Sequence, residues 1–170
     1  IQHTLGSMLS EIKASLSSPA CVQVLLTEGL IPTLSAAATF LVTPQESIML
    51  LLAALLQKAR SIGVKWRNLA VEAAVDNAAL HQACTLLMAT PPGAGEAATP
   101  RSREDALGAG RLLAEVCHTR EGARAVVEQA GGVEALLAGV KASYSPVQLA
   151  SLQALASLSA ANGEARERIW

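Results

Sequence analysis

Shifted by 42 positions, the C-terminal part of this chain falls on itself. Leu149 lands on Leu107, Leu155 on Leu113, Ala156 on Ala114, Leu158 on Val116, Ala165 on Ala123, Arg166 on Arg124 and Ile169 on Val127. A recurrence of this length marks stacked units, because a unit of roughly 20 to 50 residues cannot bury its apolar face alone and needs neighbours to cover it. A spacing of 42 holds two or three helices with their turns.

Composition narrows the choice to helices. Hydrophobic residues make up 51% of the chain and aromatic residues only 2%, so the core has to be built from Leu, Ala, Val and Ile, of which Leu and Ala are strong helix formers. Mean hydropathy is +0.36, which calls either for a membrane or for apolar surface covered by neighbours. The longest unbroken apolar run, residues 48–56, falls far short of the roughly 20 residues that cross a bilayer. Gln2, His3, Ser7, Ser10 and Glu11 interrupt the start, so no signal peptide is read there. No membrane insertion is expected.

The unit can be followed in detail near the C-terminus. Residues 123–128 read as a short helix, Gly131 and Gly132 break it, and 133–142 resume with Val133, Leu136, Leu137 and Val140 at helical spacing. A turn over 143–146 follows, with Pro146 suited to a first helical turn. The next helix, 147–159, is expected to turn Leu149, Leu152, Leu155, Ala156 and Leu158 inward.

These residues, 124–128 with Gly131-Gly132-Val133, Leu136-Leu137 and 152–158, resemble an armadillo repeat. The stretch Leu25-Leu26-Thr27-Glu28-Gly29-Leu30-Ile31-Pro32-Thr33-Leu34 is similar to that family's junction between first and second helices, with 46–59 as the third. A degenerate copy lies between, with helices over 66–75, 78–89 and 104–118. Asp76-Asn77 stands where its glycines would be; because Asn tolerates a left-handed backbone, either a kink or a continuous helix is open there. The segment 90–103 (TPPGAGEAATPRSR) reads as an exposed loop, either a tolerated insertion or a site for a partner or a modification.

The resemblance implies an all-α fold, an armadillo-type α-solenoid in which three-helix repeats wind into a right-handed superhelix. Residues 1–15 would be the third helix of a truncated repeat, 20–59 a repeat, 64–118 the degenerate repeat and 122–160 another, with 162–170 opening the first helix of a further one. The chain is thus expected to be a fragment of a longer array, a second source for its apolarity.

Armadillo arrays bind extended peptides or partner helices in a groove lined by third helices. In the nuclear-import adaptors a Trp, with an Asn four residues later, forms a repeating ladder there. The positions implied here are Ser7 and Glu11, Leu50 and Ala54, Arg111 and Glu115, and Gln153 and Ser157. None is Trp or Asn, which disfavours a basic nuclear-localisation peptide and leaves either another ligand or an ordinary solvated face.

Other constellations are weaker. His81 with Cys84, and Cys117 with His118, lack the close ligand pairs of a zinc site, so no metal is expected. The carboxylates, among them Glu11, Glu46 and Glu115, show no pairing suited to acid–base work. Gly93-Ala94-Gly95 sits among prolines and does not form a phosphate loop, so no nucleotide or other cofactor is expected. Arg101, Arg103, Arg111, Arg120 and Arg124 are interspersed with Glu104, Asp105, Glu115 and Glu121, a solvated mixed surface rather than an anion site. Trp66 and Trp170 are read as packing residues.

A formal charge of −1, with 13 basic and 14 acidic residues spread along the chain, leaves no footprint for nucleic acid or anionic lipid. Cys21, Cys84 and Cys117, without CxxC spacing, fit reduced thiols packed as small hydrophobes, hence an intracellular, cytoplasmic setting with the cytoskeleton or a cilium included. The expected role is a protein-interaction scaffold, not an enzyme, that binds a protein or peptide within a hetero-complex. Two alternatives stand beside it: a structural subunit embedded in a ciliary, axonemal or cytoskeletal machine, and the regulatory array of a longer enzyme.

Overall fold

The computed structural model describes residues 2–40, 47–90 and 100–169. Among them run eleven helices: α1 (Gln2–Ser15), α2 (Pro19–Thr27), α3 (Leu30–Phe40), α4 (Ile48–Ile62), α5 (Val64–Asp76), α6 (Ala79–Met88), α7 (Pro100–Val116), α8 (Arg120–Glu128), α9 (Gly132–Val140), α10 (Ser145–Ala161) and α11 (Gly163–Ile169). The described fold is all-α.

Local chemistry sets where these helices start. Thr119 Oγ1 accepts from Gly122 N at 3.0 Å and caps α8, and Ser47 Oγ does the same for α4 through Leu50 N at 3.3 Å. Each cap satisfies one of the orphan N–H groups of a first turn, which typically stabilises by about 1 kcal/mol. Pro19 and Pro146 stand in the first turns of α2 and α10, where a missing N–H costs nothing.

Packing follows a rule of every third helix. α4 lies along α7 and α7 along α10, while α6 packs on α9 and approaches α3, and α5 touches both α2 and α8. The largest fully buried side chains are all aliphatic, among them Leu52, Leu55, Leu112, Leu113, Leu136 and Leu158. Each such side chain contributes on the order of 1.5–3 kcal/mol by leaving water. Two glycines let the helices of the α4–α7–α10 row come close. A Cβ on Gly108 would stand 2.5 Å from Leu50 N, and one on Gly110 would stand 3.1 Å from Ala150 Cβ. α1 adds Leu9 to the core and Leu16 follows just past its end, yet α1 lies along no other helix as extensively as the members of that row do.

Several expectations change. α10 buries Leu155 and Leu158, but Leu149 and Leu152 are 58% and 51% exposed and Ala156 is exposed as well. The inward positions are taken by small residues, Ala150, Ser151 and Ala154. At Asp76-Asn77 the helix does break, though without a left-handed residue: Asn77 is extended, at φ −115° and ψ 166°. Residues 100–103, expected in a loop, belong to α7, while 91–99 and Trp170 lie outside the described residues. Cys84 and Cys117 are buried as expected of packed thiols, whereas Cys21 is exposed. No helix among the described residues is long and apolar enough to cross a membrane. α2 and the first part of α3 pass that test only together, bent by 72°.

Candidate functional site

The α4–α7–α10 row leaves a concavity of about 370 Å³, lined from α4 by Leu50, Ala53, Ala54 and Gln57, from α7 by Arg111, Ala114 and Glu115, and from α10 by Pro146, Leu149, Ala150 and Gln153. The small side chains in this lining make the hollow; alanines where leucines would fit leave room above the helix backbones.

Its charges are placed asymmetrically. Glu115 is mostly buried, its side chain 13% exposed, and meets Arg60 at the end of α4, with Arg60 Nε 3.0 Å from Oε2 and Nη2 donating to Oε1 at 3.3 Å. The Nε contact is an ion pair without hydrogen-bond alignment, so Oε2 stays without a hydrogen-bond donor. Arg111, one turn before Glu115, is exposed. The hollow therefore offers an apolar floor, one outward cation and one carboxylate already held by a neighbouring helix.

Of the positions expected to line a groove, Leu50, Ala54, Arg111, Glu115 and Gln153 are brought together here. Ser157 is not among the lining residues; its Oγ lies 3.4 Å from His118 Nδ1. Ser7 and Glu11 are exposed on α1 and do not reach the hollow. Ile48, Leu51, Leu52 and Leu55 are buried as Ala109, Leu112, Leu113 and Val116 are on α7, and as Ser151, Ala154, Leu155 and Leu158 are on α10. In this register Leu50 and Ala54 stand level with Arg111 and Glu115, and Met49, against Gly108, stands level with Gly110, against Ala150.

Sequence reasoning did not find Pro146 or Leu149 in the lining, nor the pairing of Arg60 with Glu115. A proline at this position signals a turn and a first helical turn but not what lies beside it, and the apolar spacing of α10 points Leu149 to the core. An ion pair across two units carries no local signature, because its partners are set by how the helices lie.

The remaining candidates do not converge. Arg103 stacks over Tyr144 with its guanidinium carbon 5.9 Å from the ring centre, and Arg124 binds Glu128 within α8 at 2.6 Å. Arg120 lies elsewhere, in a second hollow of about 230 Å³ with Arg67, Asn68 and His118. His81 is exposed, its Nδ1 3.2 Å from Gln129 Nε2, while Cys84 is buried. Burial pushes the Cys84 thiol up to about 11 and the Cys117 thiol up to about 12, the latter helped by the charge of Cys84. Both stay protonated near neutrality, the opposite of what a nucleophile or a metal ligand needs. Among the described residues no three His, Cys, Asp or Glu side chains are grouped to hold a metal. Trp66 is half-buried against the core, with Lys65 Nζ 5.3 Å from its ring centre.

Comparison of the chain with protein-family models, with curated proteins and with solved structures returns no match.

Proposed function

We propose that the chain is an armadillo-type α-solenoid, a right-handed superhelix of three-helix units. In this reading it works as a protein-interaction scaffold that holds an extended partner segment along α4, α7 and α10 in a larger intracellular assembly, with no chemistry of its own. The observation that supports this most is the shared hollow, where Leu50, Arg111 and Gln153 occur at one level on three successive members of a helix row. Extended segments bind such surfaces by seating alternate side chains in shallow apolar pockets while charged groups at the rim set orientation. The apolar floor with exposed Arg111 suits a segment that alternates apolar and acidic residues.

The test is crosslinking from the exposed Lys58, one turn beyond Ala54 on α4, in the chain with its native partners, followed by the same experiment on an Ala54→Arg, Arg111→Glu variant. One exchangeable segment crosslinked to Lys58 and lost at least tenfold in the variant is the expected result. Unchanged crosslinks would end the reading. Fixed neighbours reached equally from Lys13, Lys65 and Lys141 would favour a second reading, an embedded structural subunit, for which the uncovered Leu149 and Leu152 speak.

A further inference from the structure

The row α4, α7, α10 covers each member with the next, except the last. At one level on the three helices stand Met49, Gly110 and Leu152. The first two are buried, and Gly110 lies against Ala150 of the following helix. Leu152, at the same level on α10, is 51% exposed, and Leu149 beside it is 58% exposed. No charged residue occurs in α10 to keep this face in water. Large apolar side chains one helical turn apart on an uncharged face are the pattern of a surface meant to be covered.

α11 indicates by what. It packs on α10 and α9, the two helices before it, just as α5 packs on α4 and α3. α5 is the first of three helices whose last, α7, covers α4. By the same sequence of placements α11 is the first of three whose last would cover α10.

We propose that the outward face of α10 around Leu149 and Leu152 docks the third helix of a further three-helix unit that begins with α11, and that this helix presents glycine to Leu152. The proposal rests on the array reading above. The glycine follows from size. Gly110 is met by Ala150, and the larger Met49 is met by Gly108, whose missing side chain would stand 2.7 Å from Met49 Cβ. A leucine at the contact requires the second arrangement, since extra methylenes in a close helix crossing force the backbones apart.

The experiment places two units of this chain after Asn162 in place of 163–170: a copy of residues 64–118, which brings Gly108 to Leu152, and a copy of 120–161, which brings Ala150. Cys21→Ser removes the exposed native thiol, and Leu152→Cys reports cover by its rate of maleimide labelling. Labelling is expected to be fast in the chain ending at 170, at least tenfold slower with the first graft and less slowed with the second. Unchanged labelling in both grafts overturns the proposal, whether the appended unit folds apart or not at all. Slow, concentration-dependent labelling in the ungrafted chain overturns it too, because a second copy then occupies the face. Met49→Cys, covered by α7 at Gly108, is the control for the array itself. Fast labelling there means that the row does not pack as described and that the array reading has failed, independently of what docks on α10.

Discussion

The units 120–161 and 64–118 solve the same problem, ending one helix and starting the next at an angle, by different chemistry. Between α8 and α9 the chain uses Gly131 at φ +78°, a left-handed conformation that a side chain would strain, and Gly29 does likewise between α2 and α3 at φ +75°. Between α5 and α6 no residue has positive φ. Asn77 is extended, and its Nδ2 donates to Ala73 O at 2.6 Å, so a side chain satisfies a carbonyl that the left-handed turn would otherwise serve. The glycine junction depends on backbone geometry, the asparagine junction on one hydrogen bond. The first tolerates almost no substitution; the second should degrade gently.

The largest expected contrast between the two units is alkaline. Both buried thiols, Cys84 and Cys117, belong to 64–118, and 120–161 has none. Their folded values of about 11 and about 12 lie above the ordinary 9.0, so the native state keeps protons that the unfolded chain releases. The stability this contributes is whole below pH 9 and is lost as pH rises toward the folded values. Each thiol removes about 1.4 kcal/mol per pH unit over that window. Urea unfolding between pH 8 and 11 should show the loss, and a Cys84→Ala, Cys117→Ala variant should reduce its slope. Equal slopes in the two proteins would show that the thiols are not held protonated.

Next in size is Gly132. A Cβ there would stand 2.0 Å from Val126 O, a backbone atom that cannot turn aside, so Gly132→Ala should cost about 3 kcal/mol, the upper end for overpacking. Gly131→Ala should cost about 1–2 kcal/mol for the left-handed backbone alone, since its nearest neighbour is the flexible Met88 Sδ at 3.3 Å. Asn77→Ala should cost about 1 kcal/mol, the hydrogen bond to Ala73 O. Midpoints of chemical unfolding rank the three. If Asn77→Ala proves as damaging as Gly132→Ala, the asparagine junction is not the gentler of the two.

The same contrast explains what the sequence disclosed. Gly29, Gly131 and the Ile-Pro pair announce their junctions because a left-handed or N–H-free position admits few residues. Asn77 admits both a left-handed and an extended reading, and only its contact with Ala73 O decides. α10 was read as a helix correctly and its facing wrongly, because apolar residues run all round it and periodicity has no polar side to orient against. The hollow is partly legible: Arg111 and Gln153 follow from the 42-residue shift, while 90–103 interrupts the spacing to α4, so Leu50 and Ala54 come only from the resemblance. Arg60 and Glu115, 55 positions apart, meet only because α4 and α7 lie side by side.

The smallest effect, of opposite sign, sharpens the comparison within the helix row. Ile48, Ala109 and Ser151 occupy one buried level on α4, α7 and α10, and only the last is polar. Ser151 Oγ is fully buried without a hydrogen-bond partner, pressed toward Gly139 so closely that a Cβ there would lie 2.1 Å from it. A buried hydroxyl that gives up water and gains no partner costs roughly 1–3 kcal/mol, against a small gain in packing from the oxygen itself. Ser151→Ala, which gives α10 the residue that α7 already has at this level, should therefore stabilise by up to about 1 kcal/mol. Thermal unfolding of the variant decides it. A lowered midpoint would mean that the hydroxyl does find a partner, and that α10 is held against α9 by a hydrogen bond as well as by the close approach Gly139 allows.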